Sequence, residues 1–111
     1  MKKLHVLWTT GEKDVALRMI FIYLLDAKSI GWWDEIHLII WGPSAKLLAG
    51  NRLIQREVDF LLQSGINVEA CQGCTDTYGI TGKIQDMGIT VRYMGETLTE
   101  ILQSDEKLVV F

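Results

Sequence analysis

The run EIHLIIW, Glu35 to Trp41, is apolar at almost every position and shows no polar–apolar alternation. A strand with one wet face alternates, so a continuous run of this kind belongs to a strand covered on both sides, as in parallel sheets. KLHVLW, Lys3 to Trp8, reads the same way, and INVEAC, GITVRYM and KLVVF supply three further short runs of strand type. Parallel strands need crossover connections, and a helix-type segment lies between each pair of runs.

The first of these segments, EKDVALRMIFIYLLDAK, places Val15, Ala16, Met19, Ile20, Tyr23, Leu24 and Ala27 at helical spacing, while Phe21, Ile22 and Leu25 widen the stripe beyond one face. A helix this apolar needs a second buried contact, within the fold or with another subunit. GPSAKLLAGN carries Pro43 at a first helical position and Gly50-Asn51 as a stop. RLIQREVDFLLQSG is amphipathic, with Leu53, Ile54, Val58, Leu61 and Leu62 on one side and Gly65 ending it. TGKIQDMG, capped by Thr81 and stopped by Gly88, and ETLTEILQS complete the series. The expectation is a three-layer α/β/α sandwich with a mainly parallel five-stranded sheet and right-handed crossovers, in one domain over residues 1–111.

With 49% apolar and 23% charged residues the chain is globular rather than disordered. A net charge of −3, with no basic cluster beyond Lys2-Lys3, argues against a nucleic-acid partner. The longest apolar stretch, ALRMIFIYLL, is too short for a bilayer span and is broken by Arg18, so no membrane role is expected. Lys2 and Lys3 precede only a five-residue apolar stretch interrupted by His5, unlike a signal peptide, and a cytoplasmic location is expected. Thiols stay reduced there, so the two cysteines of EACQGCTDTYG suit chemistry or a metal better than a structural staple.

In a parallel sheet every loop that follows a strand emerges at the carboxyl edge, where such folds place their sites. Thr9-Thr10-Gly11, Trp41-Gly42-Pro43-Ser44, Cys71 to Tyr78, and Met94-Gly95-Glu96 gather there. Cys71 and Cys74 could hold a metal, form a redox disulfide, carry sulfur, or fill space as small apolar groups. Zinc needs further ligands, and His5 and His37 lie well back from the carboxyl ends of their strands, so no metal is expected. Both histidines read more simply as strand residues with a hydrogen-bond partner. A thioredoxin-like pair opens a helix directly after a strand, whereas this segment runs on as a loop through TDTYGIT before Thr81. Asp76 close to either thiol would raise its pKa, and Tyr78 shares the loop. Thr10 and Gly11 could hold an anion at a helix N-terminus, although capping by Thr10 accounts for them. Trp41, Gly42 and Ser44 could wall a pocket; Ser44 has no Gly-x-Ser-x-Gly context and no histidine partner for a hydrolase triad. Trp32-Trp33, at the opposite edge, suit packing or a subunit contact.

LWTTGEKDVALRMIFIYLLDAK, WWDEIHLIIWGPSAKLLA and VEACQGCTDTYGI, followed by GITVRYMGETLTEIL, resemble the DsrE-like family of small α/β proteins over essentially the whole chain. The likeness is to the branch of short stand-alone members. It implies a cysteine after the third strand that accepts sulfane sulfur as a persulfide and passes it on. By position that cysteine is Cys71, and Cys74 has no counterpart in several sulfur-relay members. It also implies a homo-oligomer, trimer or hexamer, a sulfur-donor or acceptor protein as partner, and no cofactor. The second thiol adds another course, in which Cys74 attacks a Cys71 persulfide, releases sulfide and leaves a disulfide. The alternative function is a non-catalytic oligomeric module that binds a small molecule or a protein at the carboxyl edge.

Overall fold

The computed structural model describes residues 1–111. Its strands are β1 (Lys3–Trp8), β2 (Glu35–Ile40), β3 (Asn67–Cys71), β4 (Thr90–Arg92) and β5 (Lys107–Val110). They form one all-parallel sheet in the order β4-β3-β2-β1-β5. Buried residues fill β1 to β3 almost without interruption, as continuous apolar runs require. β4 is shorter than GITVRYM suggested, and its side chains are mostly exposed, because it is a sheet edge.

The helices are α1 (Lys13–Val15), continued by a π-helical turn (Ala16–Ile20) into α2 (Phe21–Ile30), then α3 (Pro43–Gly50), α4 (Arg52–Gln63), α5 (Gln72–Thr77), α6 (Thr81–Asp86) and α7 (Gly95–Gln103). The π turn, closed by the Phe21 N–H on the Ala16 carbonyl, inserts one extra residue. Ile20 and Phe21 can then both face the core, and each is 1% exposed. Pro43 opens α3 as expected. Asn51 ends α3 and caps α4, its side chain accepting the Ile54 N–H at 3.0 Å. Two expected caps differ. The helix after β1 starts at Lys13 behind Glu12, and Thr10 instead accepts the Glu12 N–H two residues on. Thr81 is the first residue of α6 rather than its cap, and its hydroxyl bonds Thr75 and Asp76. In α4 the buried stripe is Ile54, Val58 and Leu61, while Leu53 is exposed.

The two sheet faces are unequal. Leu4, Val6, Trp8, Ile36, Leu38, Ile40, Val68 and Ala70 point to one side, where they join a core of 22 buried residues under α2, α3, α4 and α6. The alternate residues Leu7, Ile39 and Cys71 join Met94 and Ile101 of the α7 region in a core of 5, against which the partly buried Trp41, Cys74, Leu98 and Leu108 pack. The architecture is a three-layer α/β/α sandwich with one thick and one thin helical layer. No helix is long and apolar enough to cross a membrane.

Candidate functional site

Cys71 is the last residue of β3, and α5 begins at the next residue. The loop expected over 71–78 is therefore a helix. Thr75 and Thr77 donate their hydroxyls to the Gln72 and Gly73 carbonyls, the back-bonding by which a threonine satisfies its hydroxyl inside a helix. The CxxC pair thus does open a helix directly after a strand. Cys71 lies in the thin core beside Leu7, Ile39, Met94 and Ile101 and is only 6% exposed, not the accessible position that taking sulfur from a donor protein requires. Its inward-facing place in the strand, on the side covered by α7, is the reason. Cys74, in the first turn of α5, is half-buried, and its sulfur accepts the Gly42 N–H at 3.2 Å. Burial pushes the Cys74 thiol above its ordinary range; the Gly42 amide pulls it down, and the neighbouring Cys71 thiol pushes it up again.

The rest of the carboxyl edge is tightly tied. The Thr9 and Thr10 amides, candidates for an anion, both donate to the Phe111 carbonyl, at 2.6 and 3.2 Å. Gly11 is exposed and approaches Pro43 so closely that an added Cβ would sit 3.2 Å from the proline Cβ. The Ser44 hydroxyl is fully buried, faces the Trp8 and Trp41 carbonyls, and accepts the Trp41 N–H. It fastens the β1 and β2 loops together and has no capacity left for a ligand. Gly42 takes φ +76°, a conformation glycine adopts without strain, and this aims its amide at Cys74. Asp76 is engaged by Thr81 and does not figure among the influences on Cys74; Tyr78 stands exposed just past α5. The structure therefore brings Trp41, Gly42, Cys71 and Cys74 together, and gives Thr10, Ser44 and Asp76 other work.

A second polar constellation escaped the sequence reading. His5 and His37 are aligned partners on β1 and β2, buried on the thin-layer side, with their Nδ1 atoms 2.8 Å apart. His5 Nε2 meets Glu106 Oε1 at 2.9 Å, and His37 Nε2 meets Glu69 Oε1 at 2.7 Å. The Arg92 guanidinium forks onto both Glu69 oxygens and reaches Thr97 of α7 at 2.7 Å. Arg92 holds the Glu69 carboxyl below its usual range, and Glu69 raises Arg92 in return. Burial lowers His37, with Glu69 acting the other way, and the His5 bond lowers Glu106. This line borders a cavity of about 420 Å³ beneath α7, which Lys3, Asn67, Glu100 and Ser104 also line. A signal was present: each histidine is the third residue of its run, so parallel register sets them side by side, and Glu69 puts a charge in the middle of β3.

The sheet and its flanking helices have the fold of the YchN protein of E. coli, on which the chain superposes with a TM-score of 0.71 over 100% of both chains, at 18% identity. It matches far more closely a conserved protein of unknown function from Bacteroides thetaiotaomicron, BT1422, with a TM-score of 0.97 and 46% identity over 99% of this chain and 95% of that one. The chain belongs to the family of that Bacteroides protein. No protein-family model matches the sequence, and no curated protein matches it either.

Proposed function

We propose that this chain carries sulfur on the Cys71–Cys74 pair, as a homo-oligomeric, cytoplasmic protein of DsrE-like type. The observation that supports this reading is the Gly42 amide directed at the sulfur of Cys74, the more open of two thiols packed together at the carboxyl edge. An amide N–H at that distance stabilises negative charge on a thiolate or a persulfide. In this reading the roles that the family resemblance implies are exchanged, with Cys74 as the entry thiol and Cys71 behind it.

In the step, the Cys74 thiolate attacks the outer sulfur of a donor persulfide. The donor S–S bond breaks, the donor leaves as a thiolate, and the sulfur stays as a Cys74 persulfide with no net oxidation. An acceptor thiolate removes it by the same exchange. Alternatively Cys71 attacks the inner sulfur, hydrosulfide leaves, and a Cys71–Cys74 disulfide remains, which an external dithiol must reduce.

Incubation with a sulfane-sulfur donor, followed by intact mass measurement, should show a gain of one sulfur, about 32 Da. Cys74→Ser should remove the adduct, and Cys71→Ser should retain it and abolish hydrosulfide release. An adduct that survives Cys74→Ser but not Cys71→Ser would restore Cys71 as the carrier. Neither an adduct nor hydrosulfide release from the unaltered protein, and no adduct on Cys71→Ser, would overturn sulfur carriage in favour of a binding module, a reading that the apolar setting of Cys71 favours.

A further inference from the structure

We propose that His5 and His37 share a single proton across β1 and β2, forming a clasp that opens when a second proton is taken up. The clasp follows from a count of protons and is independent of the thiol chemistry. Three contacts run in line, Glu106 to His5, His5 to His37, and His37 to Glu69, at 2.9, 2.8 and 2.7 Å. Each needs one proton to be a hydrogen bond. The carboxylates at both ends are acceptors, so all three protons belong to the two rings. Two neutral imidazoles carry only two; one imidazole and one imidazolium carry three. The line is thus fully satisfied only with one positive charge on the pair.

That charge resides on His5, beside the 42%-exposed Glu106. His37 stays neutral, donating Nε2–H to Glu69 and accepting the proton of His5 at Nδ1. The lowered pKa of His37 is in keeping with this, burial being its main cause. The surroundings favour positive charge on the pair, and the Nδ1 contact itself resists a second one. Lys3 of β1, Lys28 of α2 and Arg92 of β4 line the two pockets that the pair borders, against Asp34 and Glu35 at the start of β2, Glu69 of β3, Glu100 of α7 and Glu106 before β5. Three cations against five carboxylates leave these surroundings net negative. A second proton would set two Nδ1–H groups head to head at 2.8 Å, and the contact must break. β1 and β2 cannot separate to relieve it, because they pair along six register positions. The rings swing instead into the 420 Å³ cavity under α7, loosening the thin layer.

Linkage gives the sign. Unfolded, both histidines take up protons below about pH 6.5; folded, the pair holds one. The unfolded chain then binds one proton more, so stability falls as pH falls. From about pH 6 to 5 the unfolding constant should rise about sixfold beyond the carboxylate contribution, the slope approaching tenfold per pH unit as both unfolded histidines become fully protonated. His37→Gln should remove that slope, since unfolded and folded chains then each bind one proton at residue 5. The direct reading is ¹⁵N imidazole NMR of the full chain. In the folded protein His5 should be protonated on both nitrogens while His37 carries Nε2–H alone, and Glu106→Gln should discharge His5 at a pH where the unaltered protein keeps it charged. Two neutral rings at pH 6, two imidazolium rings in an intact fold, or a His5 ring indifferent to Glu106→Gln would each overturn the clasp. The NMR arm stands even if His37→Gln does not fold, because Glu106 is a surface side chain.

Discussion

At the residue scale the two cysteines are unequal, and the inequality comes from where each falls relative to the end of β3. Cys71 still obeys strand alternation, which turns it inward against Leu7 and Ile39. Cys74 belongs to the first turn of α5 and lies at the margin of the thin core, within reach of the Gly42 amide. Its raised pKa has a consequence for reactivity, since only the thiolate is nucleophilic. Alkylation by iodoacetamide should be slow at neutral pH and accelerate on the alkaline side of the ordinary thiol range, with Cys74 labelled before Cys71. Peptide mass mapping across a pH series reads both properties. Faster labelling of Cys71, or a Cys74 rate that levels off near neutrality, would contradict this picture of the site.

At the scale of elements, one residue joins two helices. Asn51 closes α3 in an extended conformation and caps α4 through its side chain, so the two helices meet without an intervening loop. Asn51→Ala removes the acceptor for the Ile54 N–H and should lower stability by about 1 kcal/mol, visible as a shift in the denaturant midpoint at unchanged slope. A midpoint identical to that of the unaltered protein would mean that water caps α4 equally well. Asn51 was legible in the sequence as a stop, and most elements were equally legible, because apolar runs and helical stripes report directly on burial. α5 was not. Its residues Gln72 to Thr77 carry no apolar stripe, and of them only Thr75 is fully buried, so nothing in their pattern announces a helix. The candidate site was legible only in part. The cysteines announced themselves by spacing, but their exposure depended on which sheet face Cys71 takes and on how thin that layer is. The histidine line depended on strand register, a property of two strands together that no single run of residues displays.

At the scale of the molecule, the asymmetry of the two layers leaves an account to be given of the outer surface of α2. The helix is apolar all round, as its sequence suggested. Ile20, Phe21, Leu24 and Ala27 are spent on the thick core, while Met19, Ile22, Tyr23 and Ile30 remain 41 to 64% exposed. Trp32, 47% exposed and 5.8 Å from the Tyr23 ring, extends this surface towards the amino edge. Single exposed apolar residues are ordinary, but Met19 of the π turn, Ile22 and Tyr23 stand one turn apart and Trp32 continues them, and a cluster of large apolar groups marks a contact surface. A second copy of the chain is the partner that the proposed homo-oligomer supplies. Light scattering after size exclusion should then give a mass that is a multiple of the 12.6 kDa chain. Ile22→Glu places a carboxylate in that contact, and burying an unpaired charge costs several kcal/mol. Each 1.4 kcal/mol or so is tenfold in a dissociation constant, so association should weaken by at least about a hundredfold. Phe60→Glu, on the exposed side of α4 and at 58% exposure, should leave the mass unchanged and shows that the effect belongs to α2. An unaltered protein that runs as a single chain, or an assembly that tolerates Ile22→Glu, would remove α2 as the interface.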